Sequence, residues 1–186
     1  MVSDVLPCYI VCDVSLSMAD HIEEVNAGLR EFRGAVHADR VAVTQVRVCL
    51  VDFAESPRVV QPLRPAVEPA EIVRPRQESG TDFGATFTLM RNTIERDVKV
   101  LEAQQIRVCR PVLFFISDGR ATDPVWHVAL TRLVTSEVRP EVIVFGVGAV
   151  DQPELDRIGT SRVFLARDGV RLGVALAASV LRPSRG

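Results

Sequence analysis

Three short polar segments carry oxygen ligands of the kind that hold hard metal ions. The first, Asp13-Val14-Ser15-Leu16-Ser17, puts one carboxylate and two hydroxyls at alternate positions directly after an apolar run. Two further segments, Ser79-Gly80-Thr81 and Ser117-Asp118-Gly119, lie later in the chain, and the last also follows an apolar run. Oxygen ligands without thiolate or imidazole suit Mg²⁺, Mn²⁺ or Ca²⁺ better than zinc. The candidate ligands are Asp13, Ser15, Ser17, Thr81 and Asp118.

This ligand set leaves room for an incoming group. Mg²⁺ prefers about six oxygen ligands, and five short side chains leave at least one position open. With only two carboxylates among the ligands, the ion stays electrophilic towards an anion. The open position is therefore a predicted site for an acidic side chain of another protein.

Each segment also has an ordinary structural explanation. The two serines could cap a helix that begins near Asp20, and Thr81 could cap one that begins at Phe83. Asp118-Gly119 could equally form a turn. The order of the three segments, and their placement after apolar runs, favours the metal site over three separate coincidences.

Composition indicates an ordinary globular protein. The chain has 186 residues, of which 47% are hydrophobic and 25% charged, with a formal net charge of -2. We expect one domain over 1–186, with a core from about 7 to 181 and a frayed tail at 182–186. Lys99 is the only lysine, and the arginines are scattered, so the charge pattern predicts no nucleic-acid partner. No apolar stretch approaches the ~20 residues of a membrane span, and no signal peptide is recognisable, so we expect no membrane partner and a cytoplasmic location.

The apolar patterns that must position these ligands alternate between strand and helix. Strands are predicted at 8–12, 46–53, 57–61, 112–116, 142–147 and 163–166, the last at an edge of the sheet. Helices are predicted from an Asp20 cap to about 36, at 83–105, 125–134, 154–158 and 170–181, with a proline-rich loop at 62–75. This alternation predicts an α/β, doubly wound fold, in which helices flank both faces of a mostly parallel central sheet. Ligands in such sheets collect outside the carboxyl ends of strands, where the strand order reverses.

The cysteines and histidines give no sign of a second chemistry. The four cysteines, Cys8, Cys12, Cys49 and Cys109, lie in or beside predicted strands without a C-x-x-C pair, so we expect buried, reduced thiols. Cys8 and Cys12 are about 13 Å apart on an extended strand, too far for a disulfide. All three histidines fall on predicted helices, and no G-x-S-x-G turn is present.

The three segments together resemble the metal-ion-dependent adhesion site of von Willebrand factor A domains. The resemblance rests on Asp13-x-Ser15-x-Ser17, on Gly80-Thr81 followed by Gly84, and on Ser117-Asp118-Gly119, with further similarity at 25–29, 51–53 and 145–148. It covers the chain from about 7 to 181. The run 118–123 and the long second helix are most similar to the bacterial TerY-like group linked to tellurite resistance. Leu16 and Ala121 depart from that pattern, where glycine and proline are frequent.

The resemblance implies a Rossmann-like fold of the von Willebrand factor A type and a magnesium site made by the five candidate ligands. It places four further residues around them: Gly80, Asp82, Gly119 and Asp123. It also implies a protein-interaction module, without catalysis, that binds a partner's Glu or Asp carboxylate through the ion. The setting implied is a bacterial stress-response or phosphorylation-linked system of the tellurite-resistance type.

Two other classes of function were weighed against this one. A haloacid-dehalogenase-type phosphatase also begins with an Asp after its first strand, but it needs a second carboxylate two residues later, where this chain has Ser15. The only lysine, Lys99, lies inside a predicted helix and does not support phosphoryl chemistry. A metal-independent scaffold would use apolar or edge surfaces, and Trp126 could be its exposed anchor or simply a core residue of the third helix.

Overall fold

A seven-stranded sheet with helices on both faces makes up the computed structural model, which describes residues 4–68 and 73–181. The strands are β1 (Asp4–Asp13), β2 (Val46–Phe53), β3 (Pro57–Pro65), β4 (Arg107–Val108), β5 (Val112–Ser117), β6 (Glu141–Gly146) and β7 (Arg162–Leu165). The α-helices are α1 (Ile22–Ala38), α2 (Ala42–Gln45), α3 (Phe83–Ala103), α4 (Trp126–Val134), α5 (Gln152–Ile158) and α6 (Leu172–Val180). Two 3₁₀ turns span Leu16–His21 and Ala166–Asp168. The predicted frayed tail at 182–186 lies outside the described residues.

The strand order is β3-β2-β1-β5-β6-β7, with the short β4 pairing beside the start of β1. All pairs are parallel except β2 with β3. The chain moves from β1 to one side for β2 and β3, and to the other side for β5, β6 and β7. The strand order therefore reverses at β1, and the carboxyl ends of β1 and β5 meet at this switch point. The predicted doubly wound α/β fold is confirmed, and β7 lies at the predicted edge.

Alternate residues of the central strands pack into two different hydrophobic cores, one on each face of the sheet. Cys8, Ile10 and Cys12 of β1 face the core beneath α1 and α6, whereas Tyr9 and Val11 face the core beneath α3, α4 and α5. Both faces are covered, which explains why β1 and β5 are apolar without alternation. On α3, the predicted stripe is buried: Phe87, Met90, Ile94, Val98 and Leu101.

Several element boundaries differ from the predictions. The strand β3 continues to Pro65, so the predicted loop at 62–75 was wrong for its first four residues; prolines are tolerated there because β3 is an edge strand. Asp20 is not the cap of α1, because it lies within the 3₁₀ turn that precedes the helix. The helix α5 begins earlier than predicted because the Asp151 side chain accepts a hydrogen bond from the Glu154 N–H and caps it.

The cysteines and Trp126 are mostly core residues. Cys8, Cys12 and Cys49 are fully buried, whereas Cys109 is half-buried, so the burial prediction was wrong for Cys109. All four are free thiols. Trp126 is 3% exposed and its Nε1 donates to Glu154 Oε1 at 2.7 Å, which makes it a core residue and not an exposed anchor.

Candidate metal centre

Asp13 and Ser117 are joined at the switch point of the sheet. The register pairs Cys12 with Ile116, so the residues that follow lie side by side at the ends of β1 and β5. The Ser117 hydroxyl donates to Asp13 Oδ2 at 2.7 Å and accepts the Gly119 N–H at 3.0 Å. Ser117 was not among the predicted site residues. It orients the Asp13 carboxylate and fixes the start of the Asp118 loop.

The Asp13 loop gathers its two serines by hydrogen bonds. Asp13 Oδ1 accepts the Ser15 N–H at 3.0 Å and the Ser15 hydroxyl at 2.6 Å, and the hydroxyls of Ser15 and Ser17 are 3.2 Å apart. Asp13 and Ser15 are buried, whereas Ser17 is exposed. These three candidate ligands therefore form one cluster that opens to solvent on the Ser17 side.

Thr81 is attached to the loop that follows β5. Its backbone forms two hydrogen bonds with Thr122 Oγ1 and one with the Thr122 N–H, all between 3.0 and 3.1 Å. The Thr81 hydroxyl donates to the Arg120 carbonyl oxygen. Within residues 4–68 and 73–181, no hydrogen bond links Thr81 to Asp13 or its serines. The structure thus ties Thr81 to the Asp118 loop and leaves its part in metal ligation a prediction.

Two aspartates hold the N-terminus of α3 beside Thr81. Asp82 Oδ1 accepts the Ala85 N–H at 2.7 Å, which makes Asp82 the N-cap, so capping by Thr81 was the wrong alternative. Asp123 accepts the Phe83 N–H at 2.9 Å and the Gly84 N–H at 3.1 Å. Both aspartates, predicted as neighbours of the site, position the Thr81 loop.

Side chains at the two glycines predicted around the ligands would meet close neighbours, the flexible Glu55 side chain at Gly80 and the backbone at Gly119. A Cβ on Gly80 would come within 2.7 Å of Glu55 Cγ. Gly119 has a φ of +84°, in the left-handed region that favours glycine, and a Cβ there would lie 2.8 Å from the Asp151 carbonyl oxygen.

A segment before Thr81 runs along the Asp13 loop and closes its other side. The Arg76 N–H donates to the Val14 carbonyl and the Leu16 N–H donates to the Glu78 carbonyl, both at 2.9 Å. The Asp82 N–H bonds to the Ala54 carbonyl at 2.8 Å. This pairing carries the chain from the Asp13 loop to Thr81.

Buried charge anchors that segment to the sheet. The Asp52 carboxylate, 1% exposed at the end of β2, accepts two hydrogen bonds of 2.8 Å from Arg58 and lies 3.5 Å from the Arg76 guanidinium. Arg76 also donates to Glu78 Oε1 at 2.7 Å and to the Ser56 carbonyl at 2.7 Å. This network was not predicted from the sequence, where its only signals are Asp52 at a strand end and the alternating pair Arg76-x-Glu78.

The electrostatics of the site favour a cation. Burial raises the pKa of the Asp13 carboxyl, the hydrogen bonds from Ser15 and Ser117 oppose this, and the nearby Asp118 carboxylate raises it further. Among the described residues, neither Asp13 nor Asp118 forms an ion pair with an Arg, Lys or His. Two uncompensated carboxylates with neighbouring hydroxyls fit a divalent ion.

The residue types also limit which ions fit. No group of three or more His, Cys, Asp or Glu side chains within the described ranges is placed to hold a metal ion. The predicted set contains only two such residues, Asp13 and Asp118, and completes its coordination with hydroxyls. A site of this kind binds through oxygen atoms alone and keeps positions for water or an incoming carboxylate.

Solved structures share this architecture. A von Willebrand factor type A protein from Catenulispora acidiphila is 17% identical, with a TM-score of 0.66 over 95% of this chain and 42% of the other. The chain has the fold of a von Willebrand factor type A domain. Proximal thread matrix protein 1 from the mussel byssus, with a zinc-occupied MIDAS motif, is 16% identical, with a TM-score of 0.65 over 95% of this chain and 48% of the other.

A third structure with the A-type fold is the manganese-loaded TRAP protein of Plasmodium vivax. It is 12% identical, with a TM-score of 0.58 over 95% of this chain and 73% of the other. The chain spans less than half the length of the first two relatives. At the level of sequence, no family model and no curated protein matches the chain. No helix of the described residues is long and apolar enough to cross a membrane.

Proposed function

We propose that this chain is a metal-dependent protein-interaction module that binds an acidic side chain of a partner. The observation that carries the proposal is the cluster of Asp13, Ser15 and Ser17 beside Asp118, at the switch point of an A-type fold. Asp13, Ser15, Ser17, Thr81 and Asp118 would hold the ion. A divalent ion bound there supplies an open coordination position that accepts a Glu or Asp carboxylate.

Mg²⁺ is the proposed ion, with Mn²⁺ or Ca²⁺ as alternatives. Oxygen-only ligands favour these hard cations over zinc. Manganese and zinc accompany two of the similar structures, which supports a divalent ion of some kind at this position.

The protein is proposed to bind without catalysing a reaction. Asp13 is engaged by Ser15 and Ser117, and the hydroxyl of Thr81 is engaged by the Arg120 carbonyl. His21, the last residue of the 3₁₀ turn, lies 4.0 Å from Glu24, and a Cβ on Gly148 would lie 2.7 Å from its Nε2. In the described part of the chain, no histidine or cysteine side chain forms a hydrogen bond with a candidate ligand side chain, which supports a binding role. The proposed setting is the bacterial cytoplasm, in a stress-response system of the tellurite-resistance type or one linked to phosphorylation.

Capture of partners from the native cell extract tests the proposal. The pull-down is run with wild type and with Asp118→Ala, each in magnesium and in chelator. We expect a partner only with wild type in magnesium. The exposed residue Glu102 provides a matched control, because it lies at the opposite end of α3 from Thr81, and Glu102→Ala should behave as wild type. Equal capture in all conditions would instead establish the metal-independent scaffold.

A further inference from the structure

Two exposed side chains flank the candidate ligands and differ in chemistry. Leu16, between the two serines, is 52% exposed, although Ser15 before it is buried. Arg120, two residues after Asp118, is also exposed. An aliphatic side chain and a guanidinium therefore reach solvent from the same two loops that hold the candidate ligands.

Leu16 and Arg120 lie on opposite sides of the candidate ligands. The Leu16 N–H is held by the Glu78 carbonyl, and the Glu78 side chain accepts the Glu55 N–H beyond the end of β2. Arg120 Nη2 donates to the Ala149 carbonyl beyond the end of β6, at 3.2 Å. The sheet order β2-β1-β5-β6 then puts Leu16 on the β2 side and Arg120 on the β6 side.

Charge distinguishes the two sides. Arg120 forms no ion pair with a carboxylate in the described part of the chain, and its one side-chain hydrogen bond goes to a carbonyl. On the Leu16 side, both arginines are already paired with carboxylates, Arg58 with Asp52 and Arg76 with Asp52 and Glu78. The exposed carboxylate of Glu55 adds a further negative charge there. A partner's second acidic residue is therefore attracted to Arg120 rather than to the Leu16 side.

We propose that Leu16 and Arg120 select a partner segment in which an aliphatic residue and a second acidic residue flank the metal-binding carboxylate. Neighbouring strands are about 4.8 Å apart, so β2 and β6 are separated by about 14 Å across the site. An extended peptide advances about 3.3 Å per residue, so side chains two positions from the central carboxylate lie about 7 Å to either side. The recognised pattern is aliphatic-x-acidic-x-acidic, in one chain direction or the other.

This inference rests on the proposed function, and a peptide library separates the two. Displayed seven-residue peptides with a fixed central Asp are selected on wild type in magnesium and eluted with chelator. We expect an aliphatic residue two positions to one side and Asp or Glu two positions to the other. Arg120→Glu should change the acidic preference to Lys or Arg, and Leu16→Ser should remove only the aliphatic preference.

Controls make each outcome decisive. Leu16→Met should keep the aliphatic preference, and Arg132→Glu, an exposed position in the last turn of α4, should leave the selected pattern unchanged. The best wild-type peptide should bind Arg120→Glu about tenfold more weakly, and a charge-reversed peptide should restore the affinity. Metal-dependent selection of the central Asp without flanking preferences would overturn this inference but leave the proposed function standing. No metal-dependent selection at all would overturn both.

Discussion

Asp123 Oδ2 lies 3.1 Å from the Gly84 backbone nitrogen, and a Cβ on Gly84 would lie 2.7 Å from that same oxygen. The contact joins the loop after β5 to the first turn of α3. Because Thr81 precedes this turn and Asp118 precedes that loop, this hydrogen bond helps to position the two candidate ligands, and a side chain at residue 84 would displace it.

Gly84→Ala should therefore separate the two loops. We expect it to lower the free energy of unfolding by about 1–3 kcal/mol, because the added methyl forces the Asp123 carboxylate away. The affinity for a divalent ion should also fall, because the two loops carry Thr81 and Asp118. Calorimetric metal titration and chemical denaturation measure the two effects. Gly34→Ala in α1 is the matched control: Gly34 has open space around its Cβ position, so this change should stabilise by about 0.4–1 kcal/mol.

Asp118→Asn should stabilise the metal-free protein and abolish its response to magnesium. The Asp118 carboxylate raises the pKa of Asp13, so its removal relieves repulsion between the two groups. A ligand that binds only the folded state raises the melting temperature, so wild type should melt higher in magnesium than in chelator. Thermal melts of both proteins in both buffers check this. A magnesium shift that persists in Asp118→Asn would contradict the ligand assignment.

Arg76→Met should lower the affinity of the site for a divalent ion, although Arg76 is not a candidate ligand. It removes the contacts to Glu78, Ser56 and Asp52, and leaves the buried Asp52 carboxylate with Arg58 alone. We expect a loss of about 1–3 kcal/mol in the free energy of unfolding, together with weaker ion binding, because Arg76 and Glu78 hold the Asp13 loop. Arg30→Met removes only the exposed ion pair with Glu23 and should change neither quantity measurably.

Only Cys109 should react with a thiol reagent in the native protein. Cys8, Cys12 and Cys49 are fully buried, and burial raises the pKa of Cys49 to about 12. Burial also raises the pKa of Cys109 above its usual 9.0, so its rate should still be increasing as the pH passes 9, because the thiolate is the reactive form. Titration with a chromogenic disulfide should find one thiol before unfolding and four after it. Cys109→Ser should abolish the native reaction.

The layered fold and the candidate ligands could both be predicted from local patterns in the chain. Apolar runs such as 112–116 are long enough to be strands and too apolar to face solvent on either side, so they require helices on both faces. The periodicity of α3 gave its buried stripe because a helix brings every third or fourth residue to one face. Asp13 and Asp118 stood out because each follows a buried strand, and the carboxyl ends of parallel strands meet at one edge.

The contacts that hold the candidate ligands, in contrast, depend on segments far apart in the chain. The bond from Ser117 to Asp13 spans 104 residues, and the network of Asp52, Arg58 and Arg76 joins three segments, so no local pattern could reveal either. The exposure of Leu16 and the burial of Trp126 likewise depend on what packs against them, not on residue type. Local sequence fixes which backbone shapes are accessible, whereas hydrogen bonds between distant segments are formed only when the whole sheet brings those segments together.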